Sequence, residues 1–253
     1  MNEAMQKQGE MKMKNVYDDL DFFNEYAKMY RSTKGLSGAG EWHQLKLLFP
    51  KLIGKKILDL GCGYGWHCKY VAEQGANYVL GIDSSEKMIA VAKERNSHKN
   101  IQYRICDLTQ YEYPENQYDF VISNLALHYV EDLTAIYKKI YQTLRTEGVF
   151  LFNIEHPTFT GSVCQDWIYD EAGNPLYWAV DDYFYPGVRE TNFLGKRVTK
   201  QHHTLTQILN SLLETGFALE AVEEAMPPQE MMDIPGMKDE MRRPMMLLVK
   251  ARK

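Results

Sequence analysis

The stretch Asp59-Leu60-Gly61-Cys62-Gly63-Tyr64-Gly65 has residue types and spacing that point to chemistry. Just before the turn, Ile57, Leu58 and Leu60 form the apolar run of a strand covered on both faces. The three glycines then let the backbone turn sharply and approach a ligand closely, because they carry no Cβ. A helix opening near Trp66 aims its free N–H groups at the same crevice. Two further acids fall where strands should end, Asp83 after residues 78–82 and Asp107 after residues 101–106.

The glycine spacing bears on which ligand fits. A dinucleotide fingerprint, G-x-G-x-x-G, clears room for a pyrophosphate. Here the third glycine comes one residue early and Trp66 takes the place it would have filled. An anion gains little from Asp59 beside the turn, whereas a ligand with an ammonium and a sulfonium gains a charge-assisted contact. In an open α/β sheet, ligands sit beyond the carboxyl ends of the strands. There Asp83 suits the two hydroxyls of a ribose, and Asp107 suits an adenine amino group, with the Leu108 N–H nearby. Either acid alone could simply cap a helix; the three together with the turn make the stronger case.

The elements needed to hold these residues follow in order. Val16, Leu20, Phe23, Tyr26 and Tyr30 recur at helical spacing, after residues 1–15 that read as disordered or a loose helix. Residues 32–40 read as a small-residue loop and residues 41–49 as a second helix ended by Pro50. These helices either cover a sheet edge or lid the ligand, with Tyr30, Arg31 or Trp42 reaching in. A helix from Trp66 closes at Gly75, a strand covers 78–83, and Ser84 or Ser85 caps a helix over 86–95. Strands at 101–106, 118–123 and 148–154 follow, with a helix over 133–144 before the last. Such alternation predicts a parallel, doubly wound sheet. From 156 to 200 the chain is rich in Trp, Tyr, Phe, Asp and Gly and too long for an ordinary connection, so short antiparallel strands over the crevice are expected. A helix over 204–213, a strand over 217–222, a Pro- and Met-rich loop and a strand over 245–251 complete it. The division is a helical lid (1–50), a core (51–155 and 201–253) and an aromatic-rich insertion (156–200).

A net charge of −5 argues against a nucleic-acid surface, which wants a basic face. The four cysteines form no C-x-x-C pair, which fits a reducing compartment and argues against a zinc site. No apolar run reaches the roughly 20 residues needed to cross a bilayer, and residues 1–14 lack the apolar core of a secretory signal. A soluble, cytoplasmic protein without metal, membrane or nucleic-acid partner is expected; the oligomeric state is left open.

The pattern Asp-x-Gly-x-Gly-x-Gly resembles motif I of the class I S-adenosylmethionine-dependent methyltransferases, in the small-molecule, type 11-like branch. The resemblance spans roughly residues 40–145. It includes Gly81-Ile82-Asp83-Ser84-Ser85-Glu86-Lys87-Met88, Cys106-Asp107-Leu108, and the strand-four stretch from Tyr118 to His128. It implies a Rossmann-like seven-stranded sheet of order 3-2-1-4-5-7-6 with the last strand antiparallel. It also implies S-adenosyl-L-methionine as cofactor and S-adenosyl-L-homocysteine as product. By resemblance Gly61 and Gly63 flank the methionine part, Asn124 or Leu125 meets it through backbone, and Met88 packs near the adenine. With the residue reading above, the candidate contacts are Asp59, Gly61, Cys62, Gly63, Asp83, Ser84, Met88, Asp107, Leu108, Asn124 and Leu125, to which the lid reading adds Tyr30 and Arg31. Ser123-Asn124-Leu125-Ala126 lacks the prolines that base methylases carry after strand four, which favours a small-molecule acceptor.

Methyl transfer is an in-line displacement helped mainly by positioning in a dry pocket. A general base matters only if the acceptor must lose a proton early. His128, whose loop borders the methyl group, is the first candidate and His156 the second; His202 and His203 are weaker. The aromatic insertion is either a satellite core or the acceptor pocket, with Tyr183 and Arg189 as possible anchors. The alternatives are an NAD(P)-dependent oxidoreductase and a non-catalytic scaffold that keeps the fold.

Overall fold

The computed structural model describes residues 15–162 and 164–253. Of the expectation for residues 1–15, all but Asn15 lies outside the described residues. In chain order the helices and strands are α1 (Leu20–Lys28), α2 (Tyr30–Lys34), α3 (Trp42–Leu45), β1 (Lys56–Leu60), α4 (Trp66–Glu73), β2 (Tyr78–Asp83), α5 (Glu86–Arg95), β3 (Ile101–Ile105), β4 (Tyr118–Asn124), α6 (Leu133–Thr143) and β5 (Leu144–Glu155). There follow α7 (Pro157–Thr160), β6 (Trp167–Tyr169), β7 (Pro175–Trp178), β8 (Gly187–Phe193), β9 (Lys196–His202), α8 (Leu205–Thr215), β10 (Ala218–Ala225), α9 (Met237–Glu240) and β11 (Met246–Arg252). Among the described residues, no helix is long and apolar enough to cross a membrane.

Neighbouring residues of a strand point to opposite faces, so an unbroken apolar strand needs cover on both sides. On one face Leu58, Leu60, Leu80, Ile82, Val121 and Phe152 pack against Ile136, Tyr137, Ile208 and Leu212 of α6 and α8. On the other, Ile57, Val79, Phe120 and Ile122 meet Cys68, Val71 and Ile89 of α4 and α5. Each such side chain contributes about 1.5–3 kcal/mol by leaving water.

The sheet order is β10-β11-β5-β4-β1-β2-β3. All neighbouring pairs are parallel except those of β11, which runs antiparallel to both β5 and β10. Counted within this sheet alone, that is the expected order 3-2-1-4-5-7-6. The direction of winding reverses between β1 and β4, so a crevice opens beyond their carboxyl ends.

Several boundaries differ from the sequence reading. The helical spacing over 16–30 is interrupted: a 3-10 turn, Val16–Asp18, precedes α1, and extended Met29 separates α1 from α2. The loop expected at 32–40 is instead the end of α2 and a 3-10 turn, Gly35–Gly38. Gly35 sits at φ +61°, and a Cβ there would lie 2.9 Å from the Trp66 ring, so this chain path needs glycine. The helix expected over 41–49 is only α3 and a 3-10 turn, Lys46–Leu48. β5 begins four residues earlier than Gly148, at Leu144. The insertion does form two antiparallel pairs, β6 with β7 and β8 with β9.

The N-terminal segment is tied down at both ends. Asp18 Oδ1 accepts from Ser85 Oγ (2.7 Å) and from the Lys87 N–H (3.2 Å), while Asn15 donates to Ser84 Oγ (2.8 Å). On the other side Lys196, at the β8–β9 turn, pairs with Asp19 (3.1 Å) and Asp21 (3.2 Å), and Phe22 packs edge-on against Phe193. Asp18 thus satisfies an orphan donor at the start of α5 from a distance of many residues. Asp18→Ala should cost about 0.5–2 kcal/mol, the range for losing a helix cap. Limited proteolysis within residues 15–34 should accelerate while cleavage in the sheet core does not.

Candidate active site

The glycine turn uses its three glycines differently. Gly61 (φ +72°) lets the loop after β4 close on it, since a Cβ would stand 2.4 Å from that of Ala126. Gly65 (φ +76°) makes room for the Tyr103 hydroxyl. Gly63 (φ +52°) has nothing within 4 Å of where a Cβ would be. That open side is the cradle a ligand can approach. The Gly61 and Cys62 N–H groups both donate to Ile82 O at 2.9 Å, so the turn is anchored to β2. The Cys62 side chain faces inward, with its thiol beside Cys68 over Gly81, not toward the crevice.

Asp59 lies within β1 and is 1% exposed. Its Oδ2 accepts from the Cys68 thiol at 3.1 Å, while Oδ1 is buried without a partner. Burial pushes its carboxyl up to about 7, against the opposing thiol hydrogen bond. A buried carboxyl in this state gains from a nearby cation. Asp83, at the end of β2, accepts from the Gly63 N–H and the Ser85 N–H, each at 2.9 Å. It thereby joins the glycine turn to the start of α5, although burial still raises its carboxyl above the usual range. Asp107 is exposed, and its Oδ1 accepts from both the N–H and the hydroxyl of Thr109 at 2.7 Å. Leu108 O accepts from the Tyr113 hydroxyl. Met88 is buried in α5, whose cap is Ser85 rather than the exposed Ser84.

A chain of polar contacts crosses from the N-terminal helices to the sheet. Arg31 pairs with Glu41 at 2.9 Å, Glu41 receives the Asn124 amide at 3.4 Å, and Asn124 receives the Asn153 amide at 2.9 Å. Leu125 sits at φ +55°, a strained conformation for a branched residue, and its N–H donates to Asn153 O. Arg31 therefore turns toward the sheet. Tyr30 does not, being 47% exposed, and Trp42 stacks edge-on against Tyr70 of α4. Tyr17 enters instead: its hydroxyl meets that of Tyr129 at 2.9 Å, and burial raises it, with Asp83 contributing.

The histidines separate by what their ring nitrogens do. His156 is occupied at both: Nδ1 accepts from the Thr158 N–H at 3.0 Å, capping α7, and Nε2 is 3.2 Å from Glu224. Both ring nitrogens are thus engaged by the protein itself. His202 is likewise held, by Thr160 and by Tyr183 O. His203 donates to Val130 O through Nε2. His128 is buried with Nδ1 unpartnered, and burial pushes its ring down to about 4, so it is neutral at physiological pH. Its Nε2 lies 3.9 Å from Glu155 Oε1. The anchors Tyr183 and Arg189 hold the insertion to itself: the Tyr183 hydroxyl accepts from the Leu205 N–H, and Arg189 donates to Asp182 O and Tyr185 O.

Glu155 and Lys200, which the sequence reading did not single out, form a buried ion pair beside His128. Lys200 donates to Glu155 Oε1 and, at 3.3 Å, to Gln165 Oε1. Both charged groups are nearly buried, and Glu155 Oε2 and Gln165 Nε2 have no partner. Glu155 ends β5, so the reasoning that selected Asp83 could have found it. Lys200 alternates with buried Val198 and His202 on the inner face of β9, a position where a lysine stands out.

A family profile described as a methyltransferase domain matches residues 58–152. The solved structure of an S-adenosylmethionine-dependent methyltransferase from Mesorhizobium loti is 41% identical, with a TM-score of 0.80 over 87% of this chain and 100% of that one. A Listeria monocytogenes protein proposed to be of the same class is 46% identical, with a TM-score of 0.82 over 87% and 99% of the two chains. Phosphoethanolamine N-methyltransferase 3 of Arabidopsis thaliana is 32% identical over 134 residues, which is 52% of this chain but only 27% of that protein. This chain belongs to the class I S-adenosylmethionine-dependent methyltransferases. It is an enzyme of that class, and the nicotinamide-dependent and non-catalytic alternatives fall away.

In the unfolded chain Asp59 ionises near its ordinary 3.8, and in the folded chain near 7. Between those values the folded form keeps a proton that the unfolded form has lost, so stability falls as pH rises through this window. Asp59→Asn removes that ionisation. Its unliganded melting temperature should fall less than the wild type's between about pH 5 and about pH 8. Calorimetry should show S-adenosylhomocysteine bound about tenfold more weakly or worse, as expected from losing a charge-assisted hydrogen bond of about 1.5–3 kcal/mol.

Proposed function

We propose that this protein methylates a small-molecule acceptor held between His128, Glu155 and Lys200, next to a cofactor site formed by Asp59, the Gly61–Gly63 turn and Asp83. The observation that carries this reading is the row of unpartnered buried polar atoms along one sheet edge. Asp59 Oδ1, His128 Nδ1 and Glu155 Oε2 all belong to elements at the carboxyl ends of β1, β4 and β5. Buried groups of this kind are usually satisfied, and each left open costs about 1–3 kcal/mol until something pairs with it.

The residues fit the cofactor's chemistry. Asp59 offers a buried carboxylate to cationic groups, and Gly63 leaves open space for close approach. Asp83 can accept from ribose hydroxyls with lone pairs left over from its two backbone contacts. Asp107 and the Leu108 N–H would hold the adenine, Arg31 would take the carboxylate, and Asn124 and Leu125 would hold the methionine part. Bound S-adenosylmethionine supplies an electrophilic methyl group and leaves as S-adenosylhomocysteine.

On the acceptor side, Glu155 and Lys200 neutralise each other and orient polar groups of the substrate. His128, neutral at physiological pH, can accept a proton from the acceptor at Nδ1. The N-terminal helices and the insertion exclude water, which strengthens each of these contacts. The acidic net charge and the enclosed location support a small molecule over nucleic acid, and the similarity to phosphoethanolamine N-methyltransferase supports the same class. The free thiols of Cys62, Cys68, Cys106 and Cys164 are compatible with a cytoplasmic location.

Thermal melts with S-adenosylhomocysteine and with NAD test the cofactor site: the first should raise the melting temperature and the second should not. Acceptor screening by S-adenosylhomocysteine release then permits a comparison of histidine variants. His128→Gln should lower kcat by about 10²-fold or more, while His156→Gln should lower stability and leave kcat of the folded enzyme within a few-fold. Equal kcat losses in both variants would remove His128 from its assigned role.

A further inference from the structure

A second hollow lies beside the acceptor side of the crevice, on the outer surface of the insertion. It measures about 320 Å³ and is lined chiefly by Thr158, Trp167, Tyr177, Trp178, Arg242 and Arg243. Three separate pieces of chain meet there: the segment just after β5, the β6–β7 hairpin and the turn before β11.

Its walls are flat. The Arg243 guanidinium lies 4.3 Å from the Trp178 ring centre and 5.3 Å from that of Trp167, and the Arg242 guanidinium lies 4.5 Å from Trp167. Trp178 is fixed by a hydrogen bond to Thr158 O and by stacking on Phe159 at 4.9 Å. Such faces favour planar, π-bearing molecules.

Its polarity is specific. Arg243 is 8% exposed and its terminal nitrogens donate to both oxygens of Glu240, yet its Nε is buried without a partner. Arg242 pairs with Asp239. Each guanidinium is therefore balanced by one carboxylate from a turn earlier, and the hollow lacks the surplus positive charge that a dianion would need. What remains open is one buried donor, which wants one oxygen.

The hollow is also next to the chemistry. The Phe159 ring centre is 4.8 Å from the Arg243 guanidinium and 5.9 Å from the Lys200 ammonium. A single aromatic ring thus parts the hollow from the Glu155–Lys200 pair.

We propose that this hollow is the outer subsite of the acceptor, and that it takes a planar, conjugated or aromatic body bearing a carboxylate whose oxygen accepts from Arg243 Nε. The inference rests on the methyl-transfer reading above and narrows its substrate class.

Benzoate, benzyl alcohol and phenyl phosphate serve as probes. Each is titrated into the protein saturated with S-adenosylhomocysteine while tryptophan fluorescence is followed. Benzoate should quench saturably, at least fivefold more tightly than benzyl alcohol or phenyl phosphate. Trp167→Phe should remove a large part of that signal, because two of the four tryptophans, Trp42 and Trp66, lie outside the hollow. Arg243→Lys keeps the charge but not the planar donor, and should abolish the preference for benzoate over benzyl alcohol. Trp178→Leu leaves the guanidinium and should weaken all three probes, which keeps the test open if Arg243→Lys does not fold. Equal binding of benzoate and benzyl alcohol, unsaturable quenching, or a benzoate preference that survives in folded Arg243→Lys would each overturn the proposal. Stabilisation by S-adenosylhomocysteine without saturable benzoate binding would overturn this inference alone; no response to S-adenosylhomocysteine would instead sink the methyl-transfer reading.

Discussion

The structure depends on a carboxyl group kept out of water at the end of the first sheet strand. Asp59 has one weak donor, the Cys68 thiol, and one oxygen with none. Desolvation disfavours its charged form, which is why its carboxyl is pushed up to about 7. A cation brought into contact reverses that balance, since opposite charge at short range in a dry site favours ionisation. The surrounding parts preserve this dryness. Asp83 ties the glycine turn to α5, Ala126 closes over Gly61, and Asp18 fastens the N-terminal segment above them.

The far half of the crevice follows a different electrostatic plan. Glu155 and Lys200 bury a matched pair of charges, which avoids the heavy penalty of burying either alone. The pair bridges the sheet and the β8–β9 hairpin. That hairpin also touches the N-terminal helices through Phe193 and Lys196. Two segments outside the seven-stranded sheet thus meet, joined by Phe22 with Phe193 and by Lys196 with Asp19 and Asp21.

What could be read from the sequence was what is local. The glycine turn and the place of Asp83 at a strand end follow from short patterns whose physics is complete within a few residues, whereas the sheet order was implied by the family resemblance, because strand pairing joins segments far apart in the chain. The N-terminal helices were less legible because helical spacing runs straight through Met29, whose extended backbone ends α1 and begins α2 without any side-chain cap to announce it. The cap that His156 makes was not legible, because a histidine that caps a helix looks, in sequence, like one with both ring nitrogens free. Lys200 and Glu155 lie 45 residues apart, and nothing local announces that they will meet. Tyr30 and Arg31 are adjacent, yet only Arg31 turns inward, an outcome decided by Glu41 on the next element.

The most direct test of the Asp59 account counts protons. S-adenosylhomocysteine is titrated calorimetrically into the wild-type enzyme, in pairs of buffers with different ionisation enthalpies, at about pH 6 and again at about pH 8. If the cofactor's cationic end settles beside a carboxyl that was protonated beforehand, binding near pH 6 should release roughly one proton, and the release should fade by pH 8. Binding that exchanges no protons across this range, or takes them up near pH 6, would contradict the account.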